Sequence, residues 1–206
     1  MKKIIGVMLV VAATLSACKE NKSKEVVVNE EVKVEKVAMT NSVDAASSEL
    51  YWKGEKPTGT HNGTVKLISG GLSIESGALT GGEFVIDMST IVDSDGSAKL
   101  EGHLKSADFF DIEKYPTSKF VITSVETKDD KLAVTGNLTV KDVTKSITIP
   151  AMVSETDGVV EFKSETFMVN RADFNVKYGS KSFFDNLKDK FINDEMEMSF
   201  TVKTKK

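Results

Sequence analysis

Several residue types that carry specialised chemistry are scarce in this chain of 206 residues. It contains one cysteine, one tryptophan, three prolines and two histidines, and Arg171 is the single arginine among 27 basic side chains. A lone cysteine excludes a disulfide within the chain, and a chain of this length buries a sufficient core without one. Two histidines without His-x-x-x-His spacing provide too few ligands for a closed zinc site unless carboxylates contribute, so we expect no metal.

Sequence patterns of catalytic sites are also missing. No serine nucleophile motif, phosphate-binding loop or paired carboxylate is evident, and the glycine-rich stretch from Gly70 to Gly82 lies between predicted strands with no helix after it. Glycines in that setting form hairpin turns and not a phosphate cradle. We therefore expect that this protein is not an enzyme. A weak isomerase or hydrolase acting on a bound lipid would need a titratable pair, for which His61 and His103 are the candidates.

The long apolar run of the chain lies at its N-terminus. Residues 4–15 follow two lysines and are shorter than the roughly 20 apolar residues that a membrane-spanning helix needs, which is typical of a signal peptide. The run ends in Leu15-Ser16-Ala17-Cys18, which resembles the bacterial lipobox. That resemblance implies cleavage after residue 17 and acylation of Cys18, with stable anchoring by two or more acyl chains. An ordinary signal peptide with an incidental cysteine is the alternative.

The charge of the chain argues against nucleic acid as a partner. The net charge is −4 and becomes more negative when the signal peptide and its two lysines are removed. A chain without a basic cluster lacks the phosphate neutralisation that dominates nucleic-acid affinity, and it has no electrostatic reason to lie flat on an anionic membrane. Residues 18–47, which mix charges of both signs with valines, are predicted to be a flexible tether that extends from the acylated cysteine.

From residue 49 onward, apolar and polar residues alternate with a period of two. In the clearest case Met196, Met198 and Phe200 alternate with Glu195 and Glu197, and the pattern from 160 to 168 similarly places Phe162 and Met168 on one face. Short turn signals separate eight or nine such segments, which predicts an antiparallel sandwich or barrel. Segments 98–112 and 182–191 break the alternation and are predicted to be short helical insertions that close the ends of the barrel. The second begins with a capping-box-like Ser182-x-x-Asp185, which predicts a helix N-cap at Ser182.

Several ordered motifs resemble the YceI-like, polyisoprenoid-binding proteins of bacterial envelopes across roughly residues 48 to 204. The strongest motif is His103-Leu104-Lys105-Ser106-Ala107-Asp108-Phe109-Phe110-Asp111-Ile112-Glu113-Lys114-Tyr115-Pro116-Thr117. Others are Trp52-x-Gly54 with Thr60-His61-x-Gly63, Gly82-x-Phe84-x-Ile86-Asp87-Met88, Val134 to Lys141, and Asn170-Arg171-Ala172-Asp173-Phe174. Asp142 and Asn175 stand where the family often has glycine, which weakens any conclusion that the ligand is the same.

The resemblance implies a lipocalin-like, eight-stranded antiparallel β-barrel over residues 48–206 that holds an isoprenoid or similar lipid chain. An eight-stranded barrel is wide enough for packed side chains or for one slender ligand. Twelve residues are candidates for ligand contact. They are Trp52, His61, Phe84, His103, Leu104, Phe109, Phe110, Phe120, Leu138, Phe167, Arg171 and Phe174. The sequence does not separate the aromatic residues that line a pocket from those that form an ordinary core.

Arg171 has two interpretations. A guanidinium group, with its planar set of donors, suits a buried carboxylate better than lysine does. Arg171 either contacts a ligand head group or fixes a loop through Asp173, Asp108 or another carboxylate. We favour the structural role.

The sequence therefore predicts a non-enzymatic envelope lipoprotein that carries or stores a long-chain hydrophobic ligand of the polyisoprenoid, quinone or fatty amide class, with no other cofactor. The alternative is a structural or interaction lipoprotein whose barrel is filled by its own side chains, among them Met168, Met196, Met198 and Phe200. We expect a periplasm-facing location, at the outer membrane in preference to the inner one. Exposed strand edges could pair in a homodimer.

Overall fold

The computed structural model describes residues 24–26, 28–33 and 38–205. Cys18 and the predicted signal peptide over residues 1–17 lie outside the described residues, so their acylation and cleavage stay predictions. Within the described ranges, no helix is both long and apolar enough to cross a membrane.

Alternating sequences form twelve strands in the described part of the chain, and eight of these strands close a barrel. The strands are β1 (Lys24–Glu25), β2 (Val28–Glu30), β3 (Asn41–Ser42), β4 (Glu49–Lys56), β5 (Gly59–Glu75), β6 (Ala78–Asp93), β7 (Thr117–Lys128), β8 (Lys131–Val140), β9 (Val143–Thr156), β10 (Val159–Ser164), β11 (Phe167–Asn170) and β12 (Glu195–Lys203). Strands β4 to β10 pair in sequence order, β10 pairs with β12, and β12 pairs with β4. Every one of these pairs is antiparallel, which confirms the predicted barrel.

The two faces of β12 show why alternation specifies the barrel. Met196, Met198 and Phe200 point inward and line the interior, as predicted. Between them, Glu197 accepts a hydrogen bond from Lys53 Nζ on the neighbouring strand β4 (2.6 Å). This hydrogen bond, together with one to Glu55, raises the pKa of the Lys53 ammonium group. The outer face is thus held by cross-strand polar pairs and the inner face by apolar packing.

The strand predicted to run from 160 to 168 is interrupted. β10 and β11 are separated by two residues, and the Glu165 N–H donates to the carbonyl of Pro150 (2.9 Å). The break shifts the alternation by one residue, so Phe167 is buried and Met168 is only half-buried. The prediction that Met168 faces inward beside Phe162 is therefore wrong, because a one-residue slip moves every following side chain to the other face.

A bulge in β7 curves the sheet where it pairs with β8. The register shifts between Ile122 and Ser124, so that Ile122 lies opposite Gly136. Ser118 and Ile122, which precede the shift, are buried, whereas Ser124, which follows it, is exposed. Bulges of this kind increase the local twist that closure of a small barrel requires.

The first predicted helical insertion is a helix, α1 (Ala98–Lys105), which is shorter than the segment 98–112. The Ser97 hydroxyl caps its N-terminus by accepting a hydrogen bond from the Leu100 N–H (3.4 Å). At its C-terminal end the Ser106 N–H and hydroxyl both donate to the His103 carbonyl. Leu104 is the buried residue of this helix. The chain then continues through turns to β7.

The second predicted insertion differs from a helix over 182–191. It contains only a 3₁₀ turn, Lys188–Lys190. The Ser182 hydroxyl, which the sequence suggested as a helix cap, donates instead to Asp194 Oδ2 (2.7 Å). Asn186 and Lys188 have positive φ angles of 61° and 50°, a conformation that interrupts a right-handed helix. A second 3₁₀ helix, Arg171–Phe174, follows β11.

Where the structure describes the predicted tether, the chain lies against the barrel and is not free. β1 runs parallel to β11, β2 pairs with β9 where β10 has ended, and β3 pairs with β5. Val26 and Val43 are buried, and the backbone of Val32 exchanges two hydrogen bonds with the Asn137 side chain (3.0 and 2.6 Å). The valines find apolar surface, and the short strands cover strand edges that would otherwise be unpaired.

Candidate functional site

The barrel encloses an apolar cavity of about 150 Å³. Among the residues that the structure describes, its walls are aliphatic and aromatic side chains with two serines, Ser118 and Ser199, and Arg171 is the one charged residue. Eight of the predicted candidates line it, namely Trp52, Phe84, Phe110, Phe120, Leu138, Phe167, Arg171 and Phe174. A dry apolar cavity of roughly this size in another protein accepts benzene. The interior therefore suits an apolar group with about six carbon atoms.

A row of aromatic rings limits the size of this cavity. The ring of Phe162 lies 5.9 Å from that of Phe84 and 4.8 Å from that of Phe200, and Phe200 lies 6.3 Å from Phe167, all measured between centroids. Phe162 is completely buried. Rings at these distances pack as favourable aromatic pairs, so part of the barrel is filled by its own side chains.

A second, more polar cavity of about 440 Å³ lies at one end of the barrel, and we call it the mouth cavity. It is bordered by the β4–β5 turn, by α1 and by residues of the segment between 178 and 192. The remaining four candidates line it, namely His61, His103, Leu104 and Phe109. All twelve candidates thus border one of the two cavities, and their contact with a ligand stays a prediction.

Three residues line both cavities, and we call this junction the neck. They are Trp52, Arg171 and Met196. Trp52 is 4% exposed, and its Nε1 atom is buried without a hydrogen-bond partner in the described part of the chain. A buried N–H group without a partner is destabilising, and such groups are uncommon in folded proteins. The neck residues thus lie between an apolar interior and a polar mouth, and they include one unsatisfied donor.

Arg171 binds the backbone at both ends of residues 176–194, which precede β12 and which we call the mouth segment. Its Nε donates to the Asn193 carbonyl (3.1 Å), its Nη1 to the Val176 carbonyl (2.7 Å) and its Nη2 to the Ile192 carbonyl (3.1 Å). Nη2 also lies 3.2 Å from Asp194 Oδ1. The carboxylate partner is therefore Asp194, whereas Asp173 and Asp108, the two partners named from sequence, are exposed.

The surroundings of Arg171 are consistent with a structural role. The side chain is 2% exposed, and its guanidinium carbon lies 5.5 Å from the centroid of the Phe109 ring. Burial lowers the pKa of Arg171, and the negative charge of Asp194 opposes this effect. With its donors directed at three carbonyls and one carboxylate, the guanidinium fixes the mouth segment. Its contact with a ligand head group stays a prediction.

The two histidines line the same cavity but have different neighbours. The ring of His103 packs edge-on against Tyr178 (4.4 Å between centroids) and lies 5.9 Å from Phe109. His61 Nδ1 lies 3.6 Å from Oδ1 of Asp93, whose side chain is fully buried. His61 therefore faces a carboxylate, whereas His103 belongs to an aromatic cluster.

Sequence reasoning missed two groups of residues at this site. The first consists of aliphatic wall residues such as Val65, Ile86 and Ile149, which the same period-two alternation could have placed on the inner face. The second consists of Asp93, the last residue of β6, and Asp95, which together form an Asp-x-Asp pattern. That pattern was visible, but its partner His61 is distant in sequence.

Relatives of known sequence match part of the chain. A UPF0312 protein from Pseudomonas putida strain F1 is 41% identical over 91 residues, which are 44% of this chain and 47% of that protein. The chain thus spans about half the length of the curated relatives it matches first.

Solved structures match most of the chain at lower identity. BcnA from Burkholderia cenocepacia has a TM-score of 0.67 at 22% identity and covers 79% of this chain and 99% of its own. A polyisoprenoid binding domain from Saccharophagus degradans, implicated in plant cell wall breakdown, has a TM-score of 0.64 at 15% identity and covers 82% and 99%. These similarities establish a shared fold. Because the YceI-like domain model also matches residues 42–204, which is most of the chain, this protein belongs to the family of YceI-like domains.

Proposed function

We propose that this chain is an envelope lipoprotein, anchored through Cys18, that binds one long-chain hydrophobic ligand in its barrel as a carrier or store. The observation that carries the proposal is that an apolar cavity and a more polar mouth cavity share the neck residues Trp52, Arg171 and Met196 as lining. A chain with an apolar tail and a polar head matches these two environments. The description of the Saccharophagus relative as a polyisoprenoid binding domain supports the same class of ligand.

The size of the interior fits the end of such a ligand and not its whole length. Transfer of six methylene-sized groups from water into the interior would contribute about 5 kcal/mol at about 0.8 kcal/mol each. The head group would lie at the neck and extend into the mouth cavity, which has about three times the volume of the interior (440 against 150 Å³). Met196 and Met198 can change rotamer at low cost and would admit a longer segment.

The neck supports a ligand that carries a hydrogen-bond acceptor. The buried Nε1 of Trp52 has no partner in the described residues, and a carbonyl or phosphate oxygen at the neck would satisfy it. Among the ligand classes considered, quinones and fatty amides carry carbonyl oxygens, and isoprenoid phosphates carry phosphate oxygens. A pure hydrocarbon would leave this donor unsatisfied.

The second candidate function is that of a structural lipoprotein whose barrel is filled by its own side chains. The observation that favours it is the aromatic row formed by Phe84, Phe162, Phe167 and Phe200, which occupies part of the interior. The two functions differ in one measurable property, because only the carrier retains a stoichiometric ligand.

The test is mass spectrometry of the full chain captured from bacterial membranes, before and after organic extraction. Capture in two chemically different detergents separates a native ligand, whose mass stays the same, from detergent in the barrel. Ser118→Leu places a larger side chain on the cavity wall, and Ser124→Leu makes the same change at an exposed site of the same strand. We expect one lipid per chain, lost in the first variant and retained in the second. A clean mass in both detergents would support the filled barrel.

The anchor is tested separately. Intact mass and membrane fractionation of the full chain are compared with those of Cys18→Ser. We expect the unaltered chain to begin at an acylated Cys18 and the variant to carry no acyl mass. If both have the same unmodified N-terminus, the lipoprotein assignment fails while the ligand assignment is unaffected.

A further inference from the structure

Three residues of the types that bind metal ions, one histidine and two aspartates, converge beside the mouth cavity. His61 lies on β5, Asp93 is the last residue of β6, and Asp95 lies in the loop that follows. Because Gly63 pairs with Asp93, and His61 is two residues from Gly63 on the same face of β5, the sheet register brings the imidazole to the carboxylate. One ligand atom from each of His61, Asp93 and Asp95 lies within 4.8 Å of the other two.

Asp93 is an unusual member of this cluster because its side chain is fully buried. Oδ2 accepts a hydrogen bond from the Ser97 N–H (3.2 Å), but Oδ1 has no hydrogen-bond partner in the described residues. The facing Nδ1 of His61 is also buried without such a partner. At 3.6 Å the two atoms are too far apart for a hydrogen bond, and unsatisfied buried polar atoms are costly.

The separation of these atoms matches that of two ligands on one metal ion. Zinc binds imidazole nitrogen and carboxylate oxygen at about 2.1 Å, and two such ligands in tetrahedral geometry lie about 3.4 Å apart. The observed separation of Nδ1 and Oδ1 is 3.6 Å. An ion between them would satisfy both orphan atoms, and the exposed Asp95 would supply a third ligand.

We propose that His61, Asp93 and Asp95 bind a divalent transition-metal ion, with zinc as the reference ion. One imidazole nitrogen favours zinc and its neighbours in the first transition row over magnesium and calcium, which prefer sites made of oxygen alone. Three protein ligands leave one coordination position open. His61 also lines the mouth cavity, so the ion would lie at the border of that cavity. The inference does not rest on the proposed lipid function.

The test uses the untagged full chain, stripped of metal with a chelator and titrated with Zn²⁺ in a calorimeter. Co²⁺ binding followed by visible absorption reports whether the coordination is tetrahedral. We expect one ion per chain and weakening by at least about tenfold in His61→Gln and in Asp95→Asn. Asp95 is exposed, so Asp95→Asn tests the cluster without altering the buried Asp93, which accepts a hydrogen bond from the Ser97 N–H.

His103→Gln is the matched control, because His103 is the other of the two histidines and lies outside the cluster. It is expected to bind Zn²⁺ as tightly as the unaltered chain does. Absence of saturable binding overturns the proposal. Equal affinity in the unaltered chain and in both His61→Gln and Asp95→Asn also overturns it, because the ion would then bind elsewhere.

Discussion

The ring of Phe120 occupies the space that a side chain at position 136 would fill. A Cβ atom built on Gly136 would lie 2.6 Å from Phe120 Cε2 and 2.7 Å from the Val121 carbonyl oxygen. Phe120 lines the interior cavity, so this contact positions an aromatic wall residue beside the bulge in β7. The glycine is required here by close approach and not by its backbone angles.

Gly136→Ala is therefore expected to lower the free energy of unfolding by about 1–3 kcal/mol, because the added methyl group forces the ring or the strand to shift. Urea denaturation measures the effect. Gly54→Ala is the control, since a Cβ there has no heavy atom within 4 Å. Equal stabilities of the two variants would show that Phe120 can move without cost.

The barrel was predictable because apolar and polar residues alternate along each strand, and this local pattern indicates which side chains face inward. The errors arose where the deciding contact is distant. Which side chains face inward after β10 depends on a hydrogen bond from the Glu165 N–H to the Pro150 carbonyl. The Ser182 hydroxyl, expected to cap a helix, donates to Asp194 instead. In the same way, β1 and β2 of the described tether pair with strands more than a hundred residues away, whereas β3 pairs with β5 about thirty residues further along the chain.

Sequence reasoning found part of the lining of the two cavities but not its arrangement, and contact of these residues with a ligand stays a prediction. Aromatic residues and family motifs identified twelve residues that border the two cavities, yet nothing in the sequence assigns Trp52 and Arg171 to the neck. Equally, no local pattern joins His61 to Asp93, because a sheet register with three shifts between β5 and β6 creates that proximity.

Replacement of Arg171 by lysine tests whether the guanidinium is structural. Lysine keeps the charge but cannot reach three carbonyls and Asp194 at once. Loss of charge-assisted hydrogen bonds is expected to lower the free energy of unfolding by about 2–4 kcal/mol, measured by urea denaturation. Ligand content in the mass spectrometry assay should be unchanged. A stable variant that loses its ligand would assign Arg171 to the head group instead.

Hydrogen bonds in the turn just before β4 lower the pKa of Asp44 by an amount that we expect to be measurable. The Ser47 hydroxyl donates to Asp44 Oδ2 (2.7 Å) and the Ala46 N–H donates to Oδ1 (3.1 Å). These hydrogen bonds, that of Ser47 above all, lower the pKa of Asp44. Because the folded pKa lies below the unfolded one, the stabilisation is present above the unfolded value of about 3.9 and is lost as the pH falls through the folded pKa.

The pKa of Asp44 is measured directly by an NMR titration that follows the chemical shift of its carboxyl carbon against pH. Ser47→Ala is expected to raise the pKa of Asp44 toward its ordinary value and to reduce stability only in acid. Ser89→Ala removes a comparable serine–aspartate hydrogen bond elsewhere, to Asp87 (2.6 Å), and should leave Asp44 unaffected. An unchanged pKa in Ser47→Ala would mean that the hydroxyl bond does not persist in solution.

The single tryptophan provides an internal reporter of ligand entry. Trp52 is 4% exposed and lines both cavities, so its emission depends on what occupies the neck. A quinone with a ten-carbon tail should quench this emission saturably, while iodide, which stays in water, should not. Ser118→Leu is expected to weaken the quenching at least about tenfold, equivalent to about 1.4 kcal/mol, and Ser124→Leu to leave it unchanged. If the chain retains a stoichiometric lipid but its removal leaves Trp52 emission constant, the ligand does not reach the neck, and binding must occur on another surface of the barrel.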